Sequence, residues 1–325
     1  MTDQALAPSP DLLPPAAPPA GAGGDADGRP GAFSRLGLRA PGGGKWKTEM
    51  SWRTTFALLA PLLAMGGLFL VYPIIRLVIV AFGPPSGTGN FSSFFKASAN
   101  LSVMQTTFVD SAIVAVISVL LGAVVAWHVH STRHRWVRVG LVGCLFVPFW
   151  MGSVVKLYSF TILLERFGLV NRILLDLHVI SSPLSLIYNQ FAVILGMVYQ
   201  LLPYSVLPLL VVFRSIDDDL VKAAQGLGAS RARAIWSVVV PLGLPGIVAS
   251  ATIVYVVGIG FFLTPVLLGG ATSPFSASFM YQDIFQFYDF TTATVSAIVL
   301  LVGAALVLFI VSRLVGRDQL RRAMG

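Results

Sequence analysis

Residues 291–311 read TTATVSAIVLLVGAALVLFIV, a stretch without a single charged side chain. An α-helix needs about 20 apolar residues to cross the roughly 30 Å hydrocarbon core of a bilayer. The stretch therefore predicts a membrane-spanning helix. It also predicts that lipid constrains the fold, because only helices and closed barrels satisfy every backbone hydrogen bond in that solvent.

Five more apolar stretches of similar length precede this one. The six predicted spans are approximately 54–75, 106–130, 139–164, 190–213, 245–268 and 291–311. No segment alternates apolar and polar residues in the way typical of a transmembrane β-strand. The sequence predicts an all-α integral membrane protein with six transmembrane helices.

The composition excludes several function classes. Only 11% of the 325 residues are charged, against about 25% in soluble domains, and the mean hydropathy is +0.82. The net charge of +8 does not indicate nucleic acid, because the basic residues flank apolar stretches. A single cysteine, Cys144, argues against a disulfide framework, and no catalytic or metal-binding motif occurs. We expect no catalytic residue, no metal and no cofactor.

The basic residues also predict orientation. With the N-terminus inside, 17 of the 22 Lys and Arg residues fall on the cytoplasmic side, as the positive-inside rule requires. The loops at 83–105, 165–189 and 269–290 are then external, and both termini are cytoplasmic.

Residues 1–50 differ from everything that follows. Eight prolines and nine glycines leave too few large apolar side chains to bury a core. We predict a disordered cytoplasmic tail at 1–50 and a six-helix transmembrane domain at 51–325, and we expect deletion of residues 2–45 to leave membrane insertion and activity largely intact.

The longest cytoplasmic loop, residues 214–244, joins spans four and five. Asp217 is a good helix N-cap, and a short helix should run from it to about Gly226. Gly228 would permit the backbone reversal that ends this helix.

A second short helix is predicted after that reversal. Ser230 would cap it, and it should run over residues 231–240 until Pro241 stops it. The first helix presents two small residues, Ala223 and Ala224. From the pattern alone, an amphipathic linker at the membrane surface is an alternative interpretation.

The same loop resembles a known family. Its spacing Ala-Ala-x3-Gly-x9-Val-x-Val-Pro is similar to the signature Glu-Ala-Ala-x3-Gly-x9-Ile-x-Leu-Pro of binding-protein-dependent ABC importer permeases. Further stretches resemble the spermidine/putrescine permease branch. They are VPFW (147–150), GMVYQLLPYSVLPL (196–209) and LTPVLLGG (263–270). The resemblance covers roughly residues 54–315.

The resemblance implies that the loop contains a coupling helix, which docks on a separate ATP-hydrolysing subunit. The implied ATPase-coupling residues are Lys222, Ala223, Ala224, Gly228 and Pro241. Lys222 departs from the family, which usually has Glu there, and so reverses a charge at the docking face.

The resemblance also implies partners. They are a homologous second permease subunit, two ATPase subunits and a periplasmic solute-binding protein, in the bacterial inner (cytoplasmic) membrane among its lipids. ATP would be bound by the partner ATPase, so this chain would not be an enzyme. The implied cargo is a polyamine such as putrescine or spermidine, with another small solute of the same branch as the alternative.

Two rival classes stay open at this point. A secondary transporter would need no coupling loop and should show an inverted repeat with broken helices. A membrane scaffold would have no transport role. Purification together with an ATPase that a binding protein stimulates would separate all three.

Charges inside spans are costly, so each is a functional candidate. Asp110, Lys156 and Arg76 lie at similar predicted depth. One hypothesis is a structural ion pair, Asp110 with Lys156 or with Arg76. The other is that Asp110 and Lys156 line the translocation path.

Further candidates for the path lie at the external loops. Glu165, Asp283 and Asp289 could offer carboxylates to a cation, and Tyr281 and Tyr288 could offer aromatic faces. The aromatic loop at 273–290 is more typical of an interfacial belt, although an outer gate or a surface for a binding protein would use the same residues.

Overall fold

The computed structural model describes residues 52–84, 86–132, 134–270 and 273–324. Every regular element in those ranges is helical. The helices are α1 (Trp52–Ala81), α2 (Gly89–Lys96), α3 (Ser98–Ser131), α4 (Arg135–Trp150), α5 (Ser153–Leu164), α6 (Leu169–Asp176), α7 (Gln190–Ser215), α8 (Asp218–Gly226), α9 (Arg231–Ile259), α10 (Ser276–Phe285) and α11 (Phe290–Met324), and a short π-helical segment covers Pro265–Gly269. The predicted tail at 1–50 lies outside the described residues.

Five of these helices are long and apolar enough to cross a membrane. The five segments are Leu58–Ala81, Ser98–Ser131, Gln190–Ser215, Arg231–Ile259 and Phe290–Arg313. A sixth crossing is made if the bent pair Arg135–Trp150 and Ser153–Asp176 counts as one span. The predicted all-α membrane class is confirmed, and the span count is five or six according to how this pair is taken.

The predicted third span differs from the structure. A continuous helix over 139–164 is wrong, because the chain breaks between Trp150 and Ser153 and bends by 105°. Pro148 lies in the last turn of α4, where its ring removes a backbone donor and crowds the preceding turn. The next helix starts after Gly152, which has the extended backbone of an N-cap.

Two structural units divide the chain at Gly66 and Gly67. In the first unit the structure describes only the start of α1, at residues 52–66. The remaining described helices belong to the second unit.

The core of the second unit lies where α3, α7 and α9 pack together. Small residues let these helices approach closely, as is typical of membrane proteins. The hydroxyl of Ser205 donates to the Ser118 carbonyl at 2.8 Å, and that of Ser250 donates to the Ser205 carbonyl at 2.8 Å. A Cβ atom on Gly246 would lie 2.9 Å from the Val212 side chain. Polar and small contacts therefore fix the register of the three helices.

The apolar side chains of α1 from Gly67 onward, and those of α11, are largely exposed in this single chain. Examples are Phe69, Leu301 and Phe309. Side chains of this kind on a spanning helix are placed to contact lipid or another membrane subunit.

Candidate functional site

Helix α8 lies in the loop that joins the spans α7 and α9. The Asp217 carboxylate caps the helix by accepting a hydrogen bond from the backbone N–H of Asp219 at 3.0 Å. Asp218 and Asp219 lie in the first turn, where their negative charges interact favourably with the positive end of the helix dipole. Past the helix end, Gly228 has φ +90°, a conformation that a side chain would strain. The predicted helix over 217–226 and its glycine turn are confirmed, while a role in coupling stays a prediction.

The second predicted loop helix is wrong in its extent. Ser230 does accept from the Arg233 backbone N–H at 3.3 Å, as an N-cap should. The helix does not stop at Pro241, however, but continues through the π-helical turn Ile235–Val239 to Ile259. The π-helical turn ends just before Val240 and Pro241. Its wider winding moves the carbonyl four residues before Pro241 away from the proline ring, which would clash with it in a regular α-helix. The loop is thus one short helix followed by the start of a span.

One face of α8 is held against the bundle and the other is open. Val221 packs against the core cluster that contains Phe213 and Val239. On the opposite face Leu220, Ala223 and Leu227 recur at helical spacing and are exposed, with Leu227 92% exposed. Ala224 is only half-exposed. An exposed apolar stripe beside a small residue is typical of a docking surface.

The unusual cation of α8 is neutralised within its own helix. The Lys222 ammonium donates to the Asp219 carboxylate at 2.7 Å, and both side chains are exposed. This hydrogen bond raises the pKa of Lys222 and lowers the pKa of Asp219. The charge reversal at position 222 is therefore compensated one turn away.

Asp110 lies on α3 and is completely buried. Its Oδ1 accepts from the Gln190 side-chain amide at 2.6 Å, and its Oδ2 has no partner among the described residues. Neither expected ion pair, with Lys156 or with Arg76, is present among the described residues. The partner of Asp110 is thus an amide at the start of α7 instead of a cation.

Lys156 lies on α5, just past the break in the bent pair, and is 8% exposed. It lines a cavity of about 50 Å³ together with Tyr199, Gln200, Pro148 and Cys144. Beside this cavity, the Gln200 side-chain amide donates to the Thr264 hydroxyl at 2.7 Å. No hydrogen bond or ion pair reaches the Lys156 ammonium from the residues the structure describes.

Asp283 and Tyr281 lie on α10, the helix within the predicted external loop after α9. Asp283 is 6% exposed, and its Oδ2 has no partner in the described part of the chain. Burial raises the pKa of the Asp283 carboxyl to about 6, with a smaller contribution from the charge of Asp289. Tyr281 is half-exposed and lies between Phe262 and Phe285, with ring centroids 5.3 and 4.8 Å away.

The other candidates on this side are scattered. Glu165 is an exposed residue just after α5. Asp289 caps α11 by accepting from Thr292 at 3.0 Å, and Tyr288 is exposed. Phe275 lies in the loop at 273–290 that was predicted to be an interfacial belt, but its side chain is completely buried in the core. Within the described ranges, no hydrogen bond or ion pair joins any two of Asp110, Lys156, Glu165 and Asp283, and no group of acidic, His or Cys side chains could hold a metal.

Sequence reasoning missed the amide that holds Asp110 and several other polar side chains near the charged candidates. Gln190, Gln200 and Thr264 lie in or beside apolar spans, and their polarity there was the available signal. A second missed pair, Thr107 on α3 and Ser276 on α10, joins hydroxyl groups at 2.9 Å. Gln190 ties Asp110 to α7, and the other bonds join α3 to α10 and Gln200 on α7 to Thr264.

Comparisons with known proteins agree with this architecture. Residues 118–321 match the family described as "Binding-protein-dependent transport system inner membrane component". The chain is 31% identical over 221 residues to the spermidine/putrescine transport system permease protein PotB of Haemophilus influenzae, covering 68% of this chain and 75% of that protein. It is 29% identical over 263 residues to PotB of Escherichia coli, covering 81% and 94%.

The fold has a counterpart among solved structures. A chain of the bacterial alginate ABC transporter, crystallised in complex with alginate pentasaccharide-bound periplasmic protein, superposes with a TM-score of 0.70 at 19% identity. The match covers 81% of this chain and 94% of that one. The chain thus has the fold of an ABC importer permease, and it belongs to the family of inner membrane components of binding-protein-dependent transport systems.

Proposed function

We propose that this permease is one half of the translocation pathway of an ABC importer, and that a separate ATPase drives it through α8. The observation that carries the proposal is the exposed stripe of Leu220, Ala223 and Leu227. This stripe points away from the bundle, while Val221 on the other face of α8 packs against the bundle core. A helix held in this way can pass a push from a docked subunit to the spans.

The proposal includes the topology and the partners. Both termini and α8 lie on the cytoplasmic side, where an ATPase has access to ATP, and α10 lies outside, where a periplasmic solute-binding protein delivers cargo. A second homologous permease completes the pathway. The chain itself binds no ATP and needs no cofactor.

Docking of the ATPase is tested by matched substitutions in and after α8. Ala223→Trp places a large ring in the middle of the stripe, and we expect it to abolish co-purification of the ATPase. Gly228→Ala strains a backbone at φ +90° and should weaken that association. Gly226→Ala is the control, because Gly226 lies in open space without a positive φ and Ala is the better helix former. Normal ATPase association in both Ala223→Trp and Gly228→Ala would refute the docking role.

A substitution of Lys222 extends the same experiment. Lys222→Glu restores the acid usual in the family but loses the bond to Asp219. We expect less damage than from Ala223→Trp, because the exposed ion pair contributes little stability. Damage equal to that of Ala223→Trp would indicate that the partner cleft has adapted to a cation.

For the cargo, we propose a polyamine such as putrescine or spermidine. The proposal is supported by the spermidine/putrescine permeases among the relatives, and by buried carboxylates at Asp110 and Asp283 with unpartnered oxygens in the described residues. Such oxygens can replace the water of an ammonium group. Lys156 weighs against a polycation, so another small solute of the same branch is the second candidate.

Uptake of labelled putrescine and spermidine decides the cargo. Cells carrying the full operon should accumulate label above a strain from which this gene is deleted. Uptake equal to that of the deletion strain would overturn the polyamine assignment and leave the permease assignment in place.

A further inference from the structure

A contact between α3 and α8 joins two elements that are far apart in the chain. The His130 Nε2 atom lies 3.2 Å from the Asp218 Oδ1 atom. An ionised carboxylate only accepts, so the imidazole nitrogen donates. His130 is in the last turn of α3 and Asp218 is in the first turn of α8. The contact therefore links the second span to the helix proposed to receive the ATPase.

The histidine is backed by a line of aromatic rings. The Trp127 ring lies 5.6 Å from that of His130 and meets Phe213, at the end of α7, edge-on at 6.0 Å. Phe213 is buried, and a Cβ atom added to Gly243 on α9 would lie 2.9 Å from its ring. The imidazole side chain is only 14% exposed, although its partner carboxylate is 72% exposed. His130 is thus held by packing on one side and offers its nitrogen to α8 on the other.

The chain itself connects α8 only to α7 and α9. Val221 packs on the cluster of Phe213 and Val239. Among the described residues, the His130–Asp218 hydrogen bond is the one polar side-chain contact from α8 to the rest of the bundle. It is also a contact to the span that carries Asp110 at the far end. A movement of α8 that kept this bond would carry the near end of α3 with it.

We propose that His130 and Asp218 are positioning residues that couple the motion of α8 to the second span. This inference rests on the proposed docking of an ATPase on α8. The tie contributes little to ATPase binding, because Asp218 lies one helical turn before Val221, on the bundle-facing side of α8 and away from the stripe. Its loss should leave hydrolysis running while transport per ATP falls.

The test uses the assembled transporter with its ATPase, in a Cys144→Ser background. Ser102 is an exposed residue near the other end of α3, and a cysteine there reports movement of that end through its rate of labelling by an impermeant maleimide. ATP with vanadate should change this rate in the parent. His130→Ala and Asp218→Asn should both lose the change while ATPase co-purification stays normal.

A matched control lies two residues away. Among the described residues, the His128 side chain hydrogen-bonds to the carbonyl of Val124 in its own helix, so His128→Ala should keep the labelling change. His130→Gln retains a side-chain donor and should restore part of the change.

Transport gives the second readout. In proteoliposomes, solute moved per ATP should fall about fivefold or more in His130→Ala, the lower end of coupling between two sites. A labelling change and a transport ratio equal to those of the His128→Ala control would overturn the inference. If Ala223→Trp and Gly228→Ala both still associate normally with the ATPase, the docking proposal fails instead, so the two failures are distinguishable.

Discussion

At the scale of single residues, Asp110 illustrates how a buried carboxylate persists in a span. The Gln190 amide supplies its one hydrogen bond in the described structure. Asparagine at 110 would keep an oxygen that can accept this bond and would lose the charge. We therefore expect Asp110→Asn to depress binding-protein-dependent uptake while the complex remains assembled, as measured by uptake and by the abundance of the purified complex.

Two variants define the control for Asp110. Gln190→Leu leaves the carboxylate without its partner and should destabilise the subunit by about 1–3 kcal/mol. Lys156→Met should not rescue either variant, because no ion pair joins Lys156 to Asp110 among the described residues. Recovery of abundance on adding Lys156→Met to Asp110→Asn would show that an ion pair does form in the complex.

We predict that ionisation of Asp283 makes the stability of the fold depend on pH. Its pKa is raised from 3.8 to about 6 in the fold, so the folded state binds the proton more tightly than the unfolded state. Stability attributable to this group is then lost as pH rises from about 4 to 6, and the loss is complete above that range. Asp283→Asn does not ionise, so its stability relative to the parent should grow over the same window.

The expected gain for Asp283→Asn above pH 7 is about 1–3 kcal/mol, since one pKa unit corresponds to ~1.4 kcal/mol. The measurement is the thermal unfolding midpoint of both proteins in detergent between pH 4 and 8. Asp289→Asn removes the smaller, charge-based contribution to the raised pKa and should lessen this pH dependence without abolishing it. A parent that stays as stable as Asp283→Asn above pH 7 would contradict the assignment.

At the scale of helices, apolar length predicted most spans because bilayer thickness dictates it. The caps at Asp217 and Ser230 and the glycine turn at Gly228 could also be predicted, since these residues act through local backbone geometry. The break before Gly152 and the passage of α9 through Pro241 were not. Proline disrupts a helix locally, but whether the helix breaks or continues depends on neighbouring helices and on the π-helical turn, which single-sequence patterns do not encode.

The candidate site follows the same division. Charged residues within spans were visible as exceptions to the apolar pattern, but their partners were not. Asp110 and Gln190 are 80 positions apart, and His130 and Asp218 are 88 apart. Pairing at such separations depends on helix rotation and packing. The sequence therefore offered Lys156 or Arg76 as an ion-pair partner for Asp110, and the structure shows the Gln190 amide instead.

The close approach of α7 and α9 supports a prediction about packing. A side chain at Gly246 meets Val212 and the backbone of Pro208, so Gly246→Leu must separate the two helices. We expect a loss of stability of about 1–3 kcal/mol or more, measured as a lower unfolding midpoint and lower abundance. Gly143→Leu is the control, because nothing lies within 4 Å of a Cβ atom at that position. Equal effects of the two changes would contradict the packing of α7 on α9.

At the scale of the whole molecule, orientation is still a prediction from the basic residues. Cys144 is exposed, so the labelling experiment needs a Cys144→Ser background. In intact spheroplasts, an impermeant thiol reagent should label Gln286→Cys, beyond α10, and should not label Gln225→Cys on α8. Both side chains are accessible enough to react once reached. The reverse pattern would overturn the topology.

The most direct test of a permease driven by a separate ATPase is reconstitution. The chain would be purified with its second permease and ATPase, placed in proteoliposomes, and ATP hydrolysis measured with and without the solute-loaded binding protein. We predict that hydrolysis requires the assembled complex, rises when the binding protein is added, and loses this response when Ala223→Trp is introduced. A chain that does not associate with an ATPase and moves solute down an ion gradient on its own would contradict the proposal.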